Sequence, residues 1–151
     1  MYNGMRQLSS GQGRLLLIAL IVFCTSACSA GGRTGAPPHT LVRVTERDFH
    51  IAATPNHVAA GDIRLVLRNE GPDTHELILV RSRSRSRLPL RPDGLTVDEE
   101  GLSALTVASL DGTHPGGERR VDLHLARGRY ELFCNMAGHF MAGMHTELVV
   151  G

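Results

Sequence analysis

The chain has 151 residues, a formal charge of +1 and a 42% hydrophobic composition, the dimensions of one globular domain rather than two. Its sixteen basic residues, all arginine, are balanced by fifteen acids, so no basic excess points to nucleic acid. With no Trp, two Tyr and four Phe, valine and leucine must supply most of the core.

Taken in chain order, the first segment reads as a targeting signal. Arg6 and Arg14 precede the apolar run Leu15 to Phe23, and small residues follow from Thr25 to Ala30. Charged, apolar, then small is the layout of a secretory signal, and the apolar run is too short for a stable bilayer anchor. Two cleavage readings are open. In one, Thr25-Ser26-Ala27 precedes a lipidated Cys28, although Thr25 stands where such sites usually carry leucine. In the other, an ordinary signal peptidase frees the protein. The expected division is a signal over 1–27, a Gly/Pro/Ala-rich flexible tether over 28–40, and a folded domain over 41–151. An exported protein of the cell envelope follows, held to the membrane through Cys28 in the first reading. Removing 1–27 takes away two arginines and no acid, leaving 14 basic against 15 acidic residues. If Cys28 carries lipid, Cys134 is the sole thiol. No disulfide framework is then available, and burial or a metal must protect Cys134.

Leu41 to Ile51 is rich in strand formers, and Asn56 to Gly61 reads as a turn. Ile63, Leu65 and Leu67 alternate with Arg64, Val66 and Arg68, the period of a half-buried strand. Asn69 to Asp73 carries turn chemistry. His75, Leu77 and Leu79 share one face of the next strand. Ser82 to Gly117 is the least regular part, with an Arg-Ser run, a Pro-rich stretch, a helical turn expected near Val97 to Leu102 and a strand near Ala104 to Leu110. Val121, Leu123 and Leu125 alternate again, and Arg127-Gly128 is a tight turn. Tyr130, Leu132 and Cys134 then share a face, as do Thr146, Leu148 and Val150 in the last strand. Seven or so short strands predict an all-β antiparallel sandwich.

The run Tyr130 to Met144, YELFCNMAGHFMAGM, sets Cys134, His139 and Met144 at C-x4-H-x4-M on a loop between two strands. A thiolate is a soft ligand, imidazole is intermediate, and a thioether is soft and weak. Structural zinc usually takes two or more cysteines, or three good nitrogen and oxygen donors. One Cys, two His and a Met match a trigonal copper site with a weak axial sulfur. His75 is the candidate second imidazole, since its parity turns it inward and a buried unpaired imidazole is costly. Met141 and His145 are rivals to Met144 as fourth ligand. His39, His50, His57, His114 and His124 show no metal spacing.

Tyr130, Leu132, Cys134, Gly138-His139, Gly143-Met144 and Leu148, with Asn69, Gly71 and His75 upstream, resemble the copper loop and first-ligand turn of the cupredoxins, the plastocyanin, azurin and auracyanin family. The resemblance spans roughly 41–151 and is poor in the middle third. Glu76 and Leu132 depart from common family residues without removing a ligand. What it implies is a Greek-key β-sandwich of about seven to eight strands with an irregular middle insertion. It further implies one type 1 copper ion held by His75, Cys134, His139 and Met144, serving as a one-electron shuttle. A monomer working with redox partner proteins is expected, with Met136, Phe140 and Met141 as an apolar collar around His139. The alternating Arg81, Arg83, Arg85 and Arg87 are read as a solvated edge or as a docking patch for an acidic surface. A copper carrier using the same ligands is the alternative. Enzymes of related fold need more copper ligands: Phe133 and Asn135 flank Cys134 where multicopper oxidases carry histidines, and the loop holds one cysteine.

Overall fold

The computed structural model describes residues 39–82 and 88–151. The signal segment, Cys28, nearly all of the tether, and Arg83, Arg85 and Arg87 lie outside them. Among the described residues, nine strands form two sheets. The first sheet contains β1 (Thr40–Arg47), β2 (His50–Thr54), β4 (Gly61–Asn69) and β7 (Glu118–Leu125), in the order β2-β1-β4-β7. The second contains β3 (His57–Val58), β5 (His75–Ser82), β6 (Thr106–Thr113), β8 (Gly128–Phe133) and β9 (His145–Val150), in the order β3-β9-β8-β5-β6. A short helix, α1 (Glu99–Leu102), and a 3-10 turn (Ser103–Leu105) precede β6.

The all-β sandwich expected from the alternating runs is present. Its sheets, however, are mixed: β1 pairs with β4, and β3 with β9, in parallel. The first parallel pair follows from chain order. β2 turns back along one edge of β1, and β4, reversing once more, enters on the other edge in the direction of β1. Hydrophobic period reports which face a residue occupies, not which strand lies beside it.

Between the sheets, Val42, Val44, Ile63, Leu65 and Leu67 from the first meet Leu77, Leu79, Tyr130, Leu132, Leu148 and Val150 from the second. Tyr130 donates its hydroxyl to Ala126 O at 2.7 Å, which satisfies the polar end of a buried ring. Beyond the alternating face, β5 buries Ile78 and Val80 as well, and β8 buries Phe133. These form a second apolar cluster with Val97 and Leu102, against which Leu88, Leu105 and Phe140 pack. The middle segment is therefore a cover for the outer face of the second sheet. Continuous apolar runs such as Leu77 to Val80 mark a strand buried on both sides.

The stretch Leu41 to Ile51, rich in strand formers, holds β1 and the start of β2. Arg47 pairs with His50, so Asp48 and Phe49 make a two-residue turn, with Phe49 in the left-handed region at φ 59°. The Asn56 to Gly61 turn holds the two-residue strand β3, whose His57 and Val58 pair with Val149 and Val150 of β9.

Candidate metal centre

The Asn69 to Asp73 turn delivers His75 to the start of β5. Asn69 is buried and ties the turn together: its Nδ2 donates to Asp73 O and Thr113 O, both at 2.7 Å, and its Oδ1 accepts from Gly71 N. Cys134 lies just past the end of β8, on the inward parity of Tyr130 and Leu132. From there the chain makes a compact loop back to β9. Its turns are held by His139 N to Met136 O at 2.9 Å, Met144 N to His139 O at 3.0 Å and Cys134 N to Met144 O at 3.1 Å. Gly138 and Gly143 stand at φ 82° and 104°, where a side chain would be strained.

This folding brings ligand atoms of His75, Cys134 and His139 within 4.8 Å of one another, the one such group among the described residues. Cys134 Sγ and His139 Nδ1 are 3.6 Å apart, and the two imidazole centroids are 5.3 Å apart. His75, Cys134 and Met144 are all 0% exposed, while His139 is half-buried. Met144 belongs to the same core and is hydrogen bonded through its backbone to both Cys134 and His139. Its rivals are placed otherwise. Met141 is 52% exposed, and His145 Nδ1 is engaged with Glu131 at 2.7 Å.

The two nitrogens of His75 have different fates. Nε2 donates to Asp48 Oδ1 at 3.2 Å, since a carboxylate can only accept. Nδ1 is buried with no hydrogen-bond partner. An imidazole with one nitrogen fixed and the other bare is arranged as a metal ligand. Burial pushes the His75 pKa below the ordinary histidine value, a trend Asp48 opposes, which keeps the ring available as a neutral donor. Burial also pushes the Cys134 thiol up, against the backbone N–H groups of Glu76 and Met136. A bound cation would offset that cost by taking the thiolate.

Asp48, Phe49 and Glu46 around the site escaped the reading of the sequence. Asp48 and Phe49 were hidden inside an apparent strand. Phe49 sets its ring against His139, with centroids 5.4 Å apart and planes at 69°. Glu46 is 0% exposed with no partner for either carboxyl oxygen, and burial, helped by the charge of Glu76, raises its pKa to about 8. Its signal was available, because Val42, Val44 and Glu46 share one strand parity. Glu76 accepts from Asn135 N at 3.1 Å, joining the residue after His75 to the residue after Cys134. The Asn135 side chain in turn binds both backbone groups of Val97 and the Glu99 carboxylate. Gly138 N donates to Leu95 O at 2.9 Å. The middle segment thus braces the loop as well as covering the sheet.

The other histidines fall outside this cluster: His124 pairs with Asp62, and His114 with Thr74. Of the expected collar, Met136 and Met141 are exposed, whereas Phe140 packs edge-on against Phe133. Arg81 of the Arg-Ser run donates to Arg127 O at 2.9 Å.

Comparison with solved structures gives the architecture its kin. Auracyanin A of the green thermophilic photosynthetic bacterium Chloroflexus aurantiacus, titled a "blue" copper protein, aligns over 76% of this chain and 100% of its own, with TM-score 0.56 and 19% identity. The fold is cupredoxin-like. Reduced auracyanin of Roseiflexus castenholzii aligns over 74% of this chain and 97% of its own, with TM-score 0.55 and 16% identity. Rusticyanin of Thiobacillus ferrooxidans aligns over 76% and 79%, with TM-score 0.51 and 16% identity. No protein-family model matches the sequence, and no curated protein does either. Within the cupredoxin-like sandwich, the candidate set is His75, which follows the Asn69 to Asp73 turn, and Cys134, His139 and Met144, which lie on the loop joining β8 to β9.

Proposed function

We propose that the chain is a type 1 copper electron-transfer protein in which His75, Cys134 and His139 would hold one copper ion and Met144 would supply a weaker fourth donor. The observation that carries this reading is the convergence of one thiol and two imidazoles within 4.8 Å, from segments about sixty residues apart, with His75 Nδ1 buried and unpartnered. The donor set fits copper better than zinc. The fold shared with a blue copper protein supports it.

Copper in such a site supplies a one-electron couple between Cu(I) and Cu(II). The residues of the chain do the rest. His75, Cys134 and Met144 lie wholly out of water. The braced loop holds the ligands in place through oxidation and reduction. His139 alone approaches the surface, flanked by the exposed Phe49 and the exposed Met136 and Met141 of its own loop, a low-polarity edge for a redox partner. The thiol and both imidazoles are taken up by the proposed metal, and we read the chain as a carrier of electrons rather than an enzyme. The same proposal has it exported and attached to a membrane through Cys28; release from membranes in Cys28→Ala checks the anchor, and unchanged association refutes it.

The test is a redox titration of the copper-loaded full chain. One electron per protein, taken up and given back repeatedly without loss of metal, is expected. The exposed Met136 and Met141 favour the second reading, a copper carrier, because soft thioethers at a surface can pass Cu(I) on. Metal lost to a chelator within the time of one redox cycle would support the carrier and overturn the shuttle.

A further inference from the structure

We propose that the two-residue turn Asp48–Phe49 is an outer clamp on both imidazoles of the site, with Asp48 the positioning residue that fixes His75 and Phe49 the packing contact for His139. The inference rests on the copper reading above and adds to it residues from the opposite sheet.

Four observations converge on this turn. Asp48 Oδ1 is 3.2 Å from His75 Nε2, so one carboxylate determines both the tautomer and the rotation of the ring. Phe49, the adjacent residue, presents its ring to His139 at 5.4 Å. It does so from a left-handed backbone, φ 59°, which is uncommon for a bulky residue and concentrates at functional sites. Phe49 is 53% exposed, so core burial does not hold it in that conformation. Finally, Gly71 leaves room for the clamp. A Cβ there would lie 2.9 Å from Asp48 Oδ1 and 3.2 Å from both Asp48 N and His75 Nε2. The buried Asn69 side chain holds Gly71 in that position.

The physical consequence is specific. A carboxylate on the far nitrogen makes the imidazole a stronger donor and places negative charge beside the centre. Both effects favour the more positive oxidised state, so Asp48 lowers the reduction potential. Asp48→Asn keeps an acceptor but drops the charge. Asp48→Ala removes both, and Gly71→Ala pushes the bond apart sterically while leaving Asp48 in the chain.

The experiment compares these variants in the full chain, by potential in the copper-loaded form and by nitrogen NMR of the His75 ring in the metal-free form. Expected are a raised potential in Asp48→Asn with its copper spectrum retained, and a roughly 10–100-fold loss of metal affinity in Asp48→Ala. In the metal-free protein, the wild type should hold His75 as the Nε2–H tautomer, and Asp48→Ala and Gly71→Ala should release it to a mixture. If the wild type takes up copper as a thiolate complex but Asp48→Asn and Asp48→Ala match it in potential and affinity, the clamp is refuted and the copper site stands. If the wild type forms no such complex while its His75 tautomer still depends on Asp48, the copper reading fails and the contact is structural only.

Discussion

The two sheets of the sandwich are built to different specifications. The first is buried on one face only. Its other face carries exposed ion pairs such as Arg64–Asp122, joined across β4 and β7. The second is buried on both over β5 and the end of β8, with His75, Leu77, Leu79, Leu132 and Cys134 inward and Ile78, Val80 and Phe133 beneath the middle segment. The candidate ligands belong to the second sheet and to the loop it anchors; the first sends only the tip of a hairpin. A site whose donors must keep their spacing through a change of charge gains from being set in the element with least freedom. The covering segment that makes this possible also bonds directly to the loop through Asn135 and Gly138.

Disturbing the outer cover should show the contrast most strongly. Phe133→Ala removes a fully buried ring from the second cluster and should cost about 3–5 kcal/mol in denaturant unfolding. It should also broaden the copper spectrum, because the residue adjoins Cys134. Arg64→Ala, on the solvent face of the first sheet, should leave both unchanged within error. Equal losses would mean that the sheets do not differ as described.

A smaller but more selective effect belongs to Glu46, the one carboxyl buried on the inner face of the first sheet. Its folded pKa is about 8 against an ordinary 4.5. Between those values the folded chain keeps a proton that the unfolded chain releases. The Glu46 contribution to the stability of the metal-free protein is therefore full below about pH 4.5 and falls as pH rises to about 8, by up to about 5 kcal/mol. Glu46→Gln should remove most of that slope, as urea unfolding at several pH values would record. A Glu46→Gln variant whose stability changes with pH as the wild type's does would contradict the assignment.

The parts of the site legible in the sequence are those whose geometry is local or periodic. Cys134, His139 and Met144 lie within eleven consecutive residues, and strand parity alone turns His75 toward them. The alternating runs at Ile63 to Leu67 and Tyr130 to Cys134 lie on the expected faces. What escaped notice depends on turn chemistry without a signal or on long-range pairing. No Gly, Pro or Asn-Gly marks the break between β1 and β2, because Phe49 adopts the left-handed conformation that glycine would usually take. The β1 to β4 and β3 to β9 pairings are parallel, and side-chain period carries no record of strand direction. From the sequence the middle segment can cover one sheet or shape docking, and Phe133 and Ile78, which need a cover, decide for the first.

The measurement that tests the central claim most directly is the visible and electron-spin-resonance spectrum of the full chain after adding Cu(II). An intense thiolate-to-copper band with narrow hyperfine splitting is expected, abolished in Cys134→Ser, shifted in Met144→Gln and unaltered in Met141→Leu. A weak spectrum of nitrogen and oxygen ligation, indifferent to Cys134→Ser, would contradict the account.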